Sequence, residues 1–291
     1  MAERIDTRTE GLDLYVYVAR TFADTPWLHY GLWEKGETPS IPRLRMAQER
    51  YVERLLGFLP PAPARVLDIG GGTGEMARVL RDRGYEVEML TPSVLQADIA
   101  REKLGPGVPV HTTKFEDFTG SGPYDVCLFS ESFQYVRVAP SLALIAHILA
   151  PEGRVVIADC FRSEGYPGGR AVGGGHRFPE VVEALDGAGF AIVRDEDVTE
   201  MAAGSIALDQ KVYREFVAPV AERANALLAA RRPALHRLAS WAYAILVPAR
   251  ERRNIRARLK ADYRSPEAFM ANNTYRFLSI VNVARRPQTE R

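Results

Sequence analysis

The spacing of apolar and polar positions changes character near Ala64. Before it, apolar residues recur at helical intervals. Leu14, Tyr15, Val18 and Phe22 predict a helix over 12–24, and Leu44, Tyr51, Val52, Leu55 and Leu56 predict a second from Pro42 to Leu59. The Pro60–Pro63 stretch ends it, because proline cannot continue the backbone ladder. After Ala64, short apolar runs predict strands at Val66–Ile69, Glu86–Leu90, Val110–Thr112, Asp125–Phe129 and Val155–Ala158. Helices fit between them at Glu75–Arg83, Val94–Lys103 and Pro140–Leu149, and Phe178–Gly189 is followed by a strand over Phe190–Val198. Strands alternating with helices give a doubly wound α/β fold, a mostly parallel sheet covered on both faces. Residues 199–271 break the rhythm as helices punctuated by Pro219, Pro233, Pro248 and Pro266, and Thr274–Val283 returns as a last strand. Four regions follow: N-terminal helices over 1–63, a core over 64–198, a helical insertion over 199–272, and the last strand with its tail over 273–291.

Composition adds limits. Hydrophobic residues make up 46% of the 291, enough for a sizeable core. A formal charge of +1 argues against nucleic acid as the principal partner. Cys127 and Cys160 sit in apolar runs without CxxC spacing, so buried thiols are expected, with neither a disulfide framework nor a metal site. The N-terminal MAERIDTRTEGLD is charged where a signal peptide would be apolar. The most apolar stretch, Trp241–Val247, is far shorter than the roughly 20 residues of a spanning helix. A soluble cytoplasmic protein is expected.

The segment Val66–Gly74 reads VLDIGGGTG: an apolar strand containing Asp68, then Gly70, Gly72 and Gly74, then a helix from Glu75. Such a unit brings backbone N–H groups and a helix N-terminus against a ligand without side chains in the way. The third glycine comes one residue earlier than in the dinucleotide GxGxxG, and no Walker lysine follows. This loop resembles that of class I S-adenosylmethionine-dependent methyltransferases, over roughly Arg65–Arg194 plus the final strand. The resemblance implies a seven-stranded sheet with the last strand antiparallel, and S-adenosyl-L-methionine as cofactor. It also implies that Asp68 lies near the cofactor amino group while Gly70 and Gly72 admit the backbone. The second strand ends in Met89-Leu90-Thr91-Pro92-Ser93 with Gln96 beyond, lacking the acid that many members carry. The pattern is similar to the small-molecule and cyclopropane-synthase-like subgroup, which implies ribose contacts from Thr91 and Gln96; Thr91 could instead only cap the next helix. Lys114 stands where the family often has an acid. Phe115 then either lies on the adenine, with Glu116 or Asp117 at its edge, or packs in the core.

The tract Ser130-Glu131-Ser132-Phe133-Gln134-Tyr135 looks like the ESLMH-type tract of sugar and natural-product methyltransferases, with Tyr135 in the place of a histidine. That resemblance places Ser130 and Glu131 beside the cofactor and Tyr135 near the acceptor, and Asp159 matches the acid ending the fifth strand. Since the cofactor carries its own leaving group, the protein's main task is alignment. A hydroxyl acceptor also loses a proton, for which Asp159, Tyr135 and His176 are the candidate groups. His176 lies on the glycine-rich Arg162–Arg177, whose composition suits a mobile lid or an ordinary exposed loop.

The LHYGLW tract Leu28–Trp33 resembles the HFGYW-type tract of the same subgroup, which implies that His29, Tyr30 and Trp33 close over the cofactor. Taken alone, these aromatics read as packing. In the insertion, Leu235, Leu238, Trp241 and Ile245 form a stripe that most simply packs on the sheet domain. The basic run from Arg250 to Lys260 reads as a solvated face, an anionic-acceptor contact or a transient membrane contact. The expected function is methyl transfer to a small-molecule acceptor, O-directed, on a natural product, sugar or lipid-like compound. The alternatives are a cofactor-binding protein that catalyses another reaction or serves as a scaffold and, less supported, an RNA or protein methyltransferase. The near-neutral charge and the lack of an NPPY-type tract argue against the last.

Overall fold

The computed structural model describes residues 13, 16, 17, 21, 23–168, 172–249, 252, 253 and 264–284. Most of the helix expected over 12–24, and Arg250, Arg256, Arg258 and Lys260 of the basic run, lie outside the described residues.

Seven strands form one sheet: β1 (Arg65–Ile69), β2 (Glu86–Thr91), β3 (Val110–Thr112), β4 (Tyr124–Ser130), β5 (Leu149–Arg162), β6 (Phe190–Asp197) and β7 (Asn273–Asn282). Their order is β3-β2-β1-β4-β5-β7-β6, with β7 antiparallel to both its neighbours and the other pairs parallel. The described helices are α1 (Ile41–Leu56), α2 (Glu75–Asp82), α3 (Val94–Leu104), α4 (Val138–Ile148), α5 (Phe178–Gly187), α6 (Thr199–Val212), α7 (Ala218–Arg231), α8 (Pro233–Leu246) and α9 (Pro266–Asn272).

The period of two along each strand divides the core into two layers. Val126, Leu128, Val156 and Ala158 join Tyr51, Leu55, Leu80 and Phe277 on one face. Cys127, Phe129, Val155 and Ile157 join Leu142, Ile145, Val181 and Leu185 on the other. The main departure from the sequence pattern is β5, which runs fourteen residues where four were expected. Pairing with β7 carries β5 past Ala158 to Arg162, and at its start Leu149 pairs with Tyr124 of β4 before a register shift to Arg154.

The insertion between β6 and β7 behaves in two ways. Helix α6 buries Ala202, Ala203, Ile206 and Leu208. A π-helical turn at Tyr213–Val217 then leads to α7 and α8, which hold no buried residue. The Leu235–Ile245 stripe therefore does not pack on the sheet as expected; each of its four members is more than half exposed.

Candidate active site

The carboxyl ends of β1, β2 and β4 open on one cavity of about 610 Å³, the usual place for a ligand in a parallel sheet. Its wall includes Asp68–Thr73, Thr91, Gln96, Lys114–Asp117, Ser130–Ser132, Tyr135 and the Pro26–His29 strand of chain.

Gly70, Gly72 and Gly74 all have positive φ, at 76°, 56° and 76°. The Gly70 and Gly71 N–H groups both donate to the Leu90 carbonyl, at 2.8 and 3.1 Å, tying the loop to the end of β2. A Cβ on Gly70 would lie 2.5 Å from that of Ser132, whose hydroxyl donates to the Ile69 carbonyl. A Cβ on Gly72 would point into the cavity, meeting only Leu28 at 3.5 Å and the Gln96 amide oxygen at 3.6 Å. Asp68 is 1% exposed, and its Oδ2 is buried without a hydrogen-bond partner. Burial pushes its carboxyl up to about 7. An unpartnered buried carboxylate is costly, so a bordering cavity with an orphaned acid fits a cationic group of a ligand.

At the end of β2, Ser93 caps α3 by accepting the Gln96 N–H at 3.1 Å, so Thr91 is not the cap. Thr91 is buried and borders the cavity. The Gln96 amide donates to Asp13 at 2.7 Å, and the Ser93 hydroxyl donates to the same carboxylate at 2.8 Å. A carboxylate from the N-terminal segment thus holds Gln96 and Ser93 at this strand end, a contact that sequence spacing does not show. Phe115 packs edge-on against Phe129 at 5.5 Å, as the core reading expects, and it also borders the cavity. Glu116 accepts the Arg137 N–H at 2.9 Å.

Glu131 is the centre of the opposite wall. It has a φ of 55°, a left-handed conformation costing a residue with a Cβ about 1 kcal/mol. Its N–H donates to the Ala158 carbonyl at 2.8 Å. Its Oε1 accepts the Tyr30 N–H at 2.7 Å and the Tyr275 hydroxyl at 2.6 Å. Burial raises this carboxyl to about 7, against those two bonds. Beside it, the Tyr51 hydroxyl and the Ser130 hydroxyl are 2.9 Å apart. His29 stacks on Tyr51 with ring centroids 4.1 Å apart, and its Nδ1 donates to the Tyr30 carbonyl at 2.8 Å. Burial lowers His29 to about 4, so the ring is neutral at physiological pH.

Several expected site residues stand elsewhere. Asp159 is 0% exposed and is not part of the cavity wall. It accepts the Gln134 N–H and side-chain amide, each at 3.0 Å, and the Cys160 N–H at 2.7 Å. Its carboxylate thus holds the turn at Phe133–Tyr135 against β5. His176 is also outside the wall; its Nε2 sits 3.1 and 3.0 Å from the carbonyls of Phe133 and Val136, which can only accept, so that nitrogen carries a proton. The glycines beside it serve close packing, since a Cβ on Gly175 would lie 2.4 Å from the Gln134 carbonyl. Tyr30 turns its ring onto Tyr275 and Phe269, and Trp33 donates to Ser205 of α6 at 3.1 Å. Of the catalytic candidates, only Tyr135, 51% exposed, borders the cavity.

Three buried acids raise a pH dependence. Asp68, Glu131 and Asp159 stand at about 7, 7 and 8, pushed there by burial, while an unfolded chain ionises near 4. The folded state therefore holds extra protons, and the stability they confer is fully present below about 4 and lost as pH rises through 7 to 8. The melting temperature of the ligand-free protein is expected to fall by about 5 °C between pH 6 and 8.5. A flat or rising melting temperature by calorimetry would show that these acids ionise normally.

A family model for a methyltransferase domain matches residues 43–193, more than half of the chain. The chain belongs to the methyltransferase-domain family. Within this family it is 32% identical over 120 residues to an uncharacterized methyltransferase of Staphylococcus carnosus, covering 40% of the present chain and 57% of that one. It is 26% identical over 192 residues to an O-methyltransferase of Pyrenophora dematioidea, covering 60% and 72%. The chain spans about half the length of the first curated relatives it matches. Among solved structures, the cyclase SpnF superposes with a TM-score of 0.64 at 21% identity, covering 94% of both chains. The geranyl diphosphate C-methyltransferase of Streptomyces coelicolor A3(2), in complex with S-adenosyl-L-homocysteine, gives 0.65 at 16% identity, covering 94% and 97%. These two likenesses show that this methyltransferase-domain chain shares their fold.

Proposed function

We propose that this protein transfers a methyl group from S-adenosylmethionine to a hydroxyl of a small-molecule acceptor. The observation that carries the reading is the orphaned, buried Asp68 carboxylate beside a glycine loop that opens on the same cavity as Glu131. Asp68 would hold the cofactor's amino group as its missing cationic partner, and Gly72 leaves the cavity open beside it. Thr91 and Gln96 border the ribose end, and Phe115 and Glu116 the adenine end. When bound, the cofactor provides an electrophilic methyl and leaves as S-adenosylhomocysteine. The relative from Pyrenophora dematioidea supports oxygen as the accepting atom.

The chain's own part is alignment and one proton. Glu131, fixed by Tyr30 and Tyr275 and raised by burial to about 7, takes the proton of the acceptor hydroxyl in its ionised form. Tyr135 at the exposed rim orients the acceptor. Neutral His29 and Tyr51 form a rigid wall behind Glu131. Asp159 acts on the site through the turn that carries Tyr135 rather than by touching the acceptor. A second reading, binding of the cofactor with a different reaction, draws support from the likeness to a cyclase.

Incubation with methyl-labelled S-adenosylmethionine and a panel of hydroxylated small molecules tests the choice. The expected result is labelled acceptor and S-adenosylhomocysteine formed one for one. An acceptor rearranged without S-adenosylhomocysteine would select the second reading, and label transferred to nitrogen or carbon would move the accepting atom.

A further inference from the structure

Helices α7 and α8 pack on each other and present a surface that the rest of the described chain leaves open. On α8, Leu235, Leu238, Trp241 and Ile245 lie within one face at helical spacing and are 53%, 60%, 63% and 60% exposed. Leu246 at the end of α8 is 78% exposed, and Leu227 on α7 is 58% exposed. An apolar row of this length is unusual on a free surface. The sequence that contains these two helices is equally uneven in charge. Between Lys211 and Lys260 there are twelve Lys and Arg against three Glu, a charge of +9. The whole chain carries +1, so the remainder is −8. Helix α8 contains Arg237 and no acid.

We propose that the α7–α8 hairpin docks peripherally on the surface of an anionic phospholipid bilayer. An interfacial helix buries Leu, Ile and Trp at the acyl boundary while arginines meet the headgroup charge, which is the combination seen here. The charge alone would suit nucleic acid, but a row of exposed Leu, Trp and Ile gives a phosphate backbone nothing to bind. Helices α7 and α8, with Arg232 between them, carry Arg223, Arg231 and Arg237 against Glu222, so a second copy would set like charge against like charge, which opposes pairing through this face. Among the described residues no helix is long and apolar enough to cross a membrane, so the contact is with the surface. The docking does not depend on the reaction in the cavity.

Trp27 and Trp33 are 7% and 4% exposed, and Trp241 is the third of three tryptophans. Fluorescence of the full chain therefore reports lipid contact at α8 directly. With vesicles of phosphatidylcholine and phosphatidylglycerol, the emission is expected to shift to the blue and the protein to sediment with the vesicles. With phosphatidylcholine alone, or in high salt, binding is expected to fall at least about ten-fold. The double variant Leu238→Glu, Ile245→Glu is expected to lose a similar factor in partition while keeping the wild-type melting temperature. Four results would overturn the proposal: no binding to either vesicle, equal binding to both, unaltered partition of the double variant, or a dimer in ultracentrifugation that the double variant disrupts.

Discussion

Glu131→Gln is expected to lower kcat by about 10²-fold or more, the scale of a group that moves a proton in the rate-determining step. Glutamine keeps a carbonyl oxygen where Tyr30 N–H and the Tyr275 hydroxyl donate, so the fold around the site and the affinity for S-adenosylhomocysteine should change little. What it removes is a carboxylate that burial places at about 7. A base must be ionised to act. In the wild type, kcat/KM should therefore rise with pH through about 7, and the variant should lose that limb. Asp159→Asn separates the two buried acids. Its carboxylate accepts three hydrogen bonds from Gln134 and Cys160, so the amide should cost stability and loosen the turn that carries Tyr135. Its pH limb should survive. If Glu131→Gln turns over like the wild type, proton removal contributes nothing and catalysis is alignment alone, an outcome that proximity effects permit.

Much of the frame was legible because it follows period and punctuation. All seven strands and the helices between them lie where apolar runs and glycines predict, with β5 the one large error. The glycine loop was legible for the same reason, since strand, positive-φ glycines and helix are contiguous. On the opposite wall the Ser130–Tyr135 tract was legible, but the contacts that hold it were not. Glu131 is held by donors 101 and 144 positions away, and Asp13 reaches Gln96 across 83, so no local pattern reports either contact. Asp159 drew attention as a strand-end acid, but it shares the parity of Val155 and Ile157 and so points to the face covered by α4 and α5. His176 and its glycines suggest a lid, whereas Gly175 packs on the Gln134 carbonyl and the His176 side chain donates to the Phe133–Tyr135 turn. The aromatic tract split: His29 borders the cavity, while Trp33 is spent on α6. The stripe on α8 has the spacing of a buried face and is exposed, because helical period says that residues share a side and not what covers it.

The largest effect on binding is expected at Gly72. Its φ of 56° is a conformation that β-branched residues strongly avoid, and a Cβ there projects into the cavity between Leu28 and Gln96. Valine at this position would both strain the loop and fill part of the cavity that Asp68 also borders. Unlike Gly70, whose Cβ would strike Ser132, Gly72 has room for a side chain in the folded protein, so the variant should fold and fail at the cavity itself. The measurement that tests the account most directly is a calorimetric titration of S-adenosylhomocysteine into the wild type and into a folded Gly72→Val variant. Saturable binding at one site is expected in the wild type, with a loss of at least about 10²-fold in the variant, roughly 3 kcal/mol. Equal affinity in the two proteins, or no binding to the wild type, would contradict it.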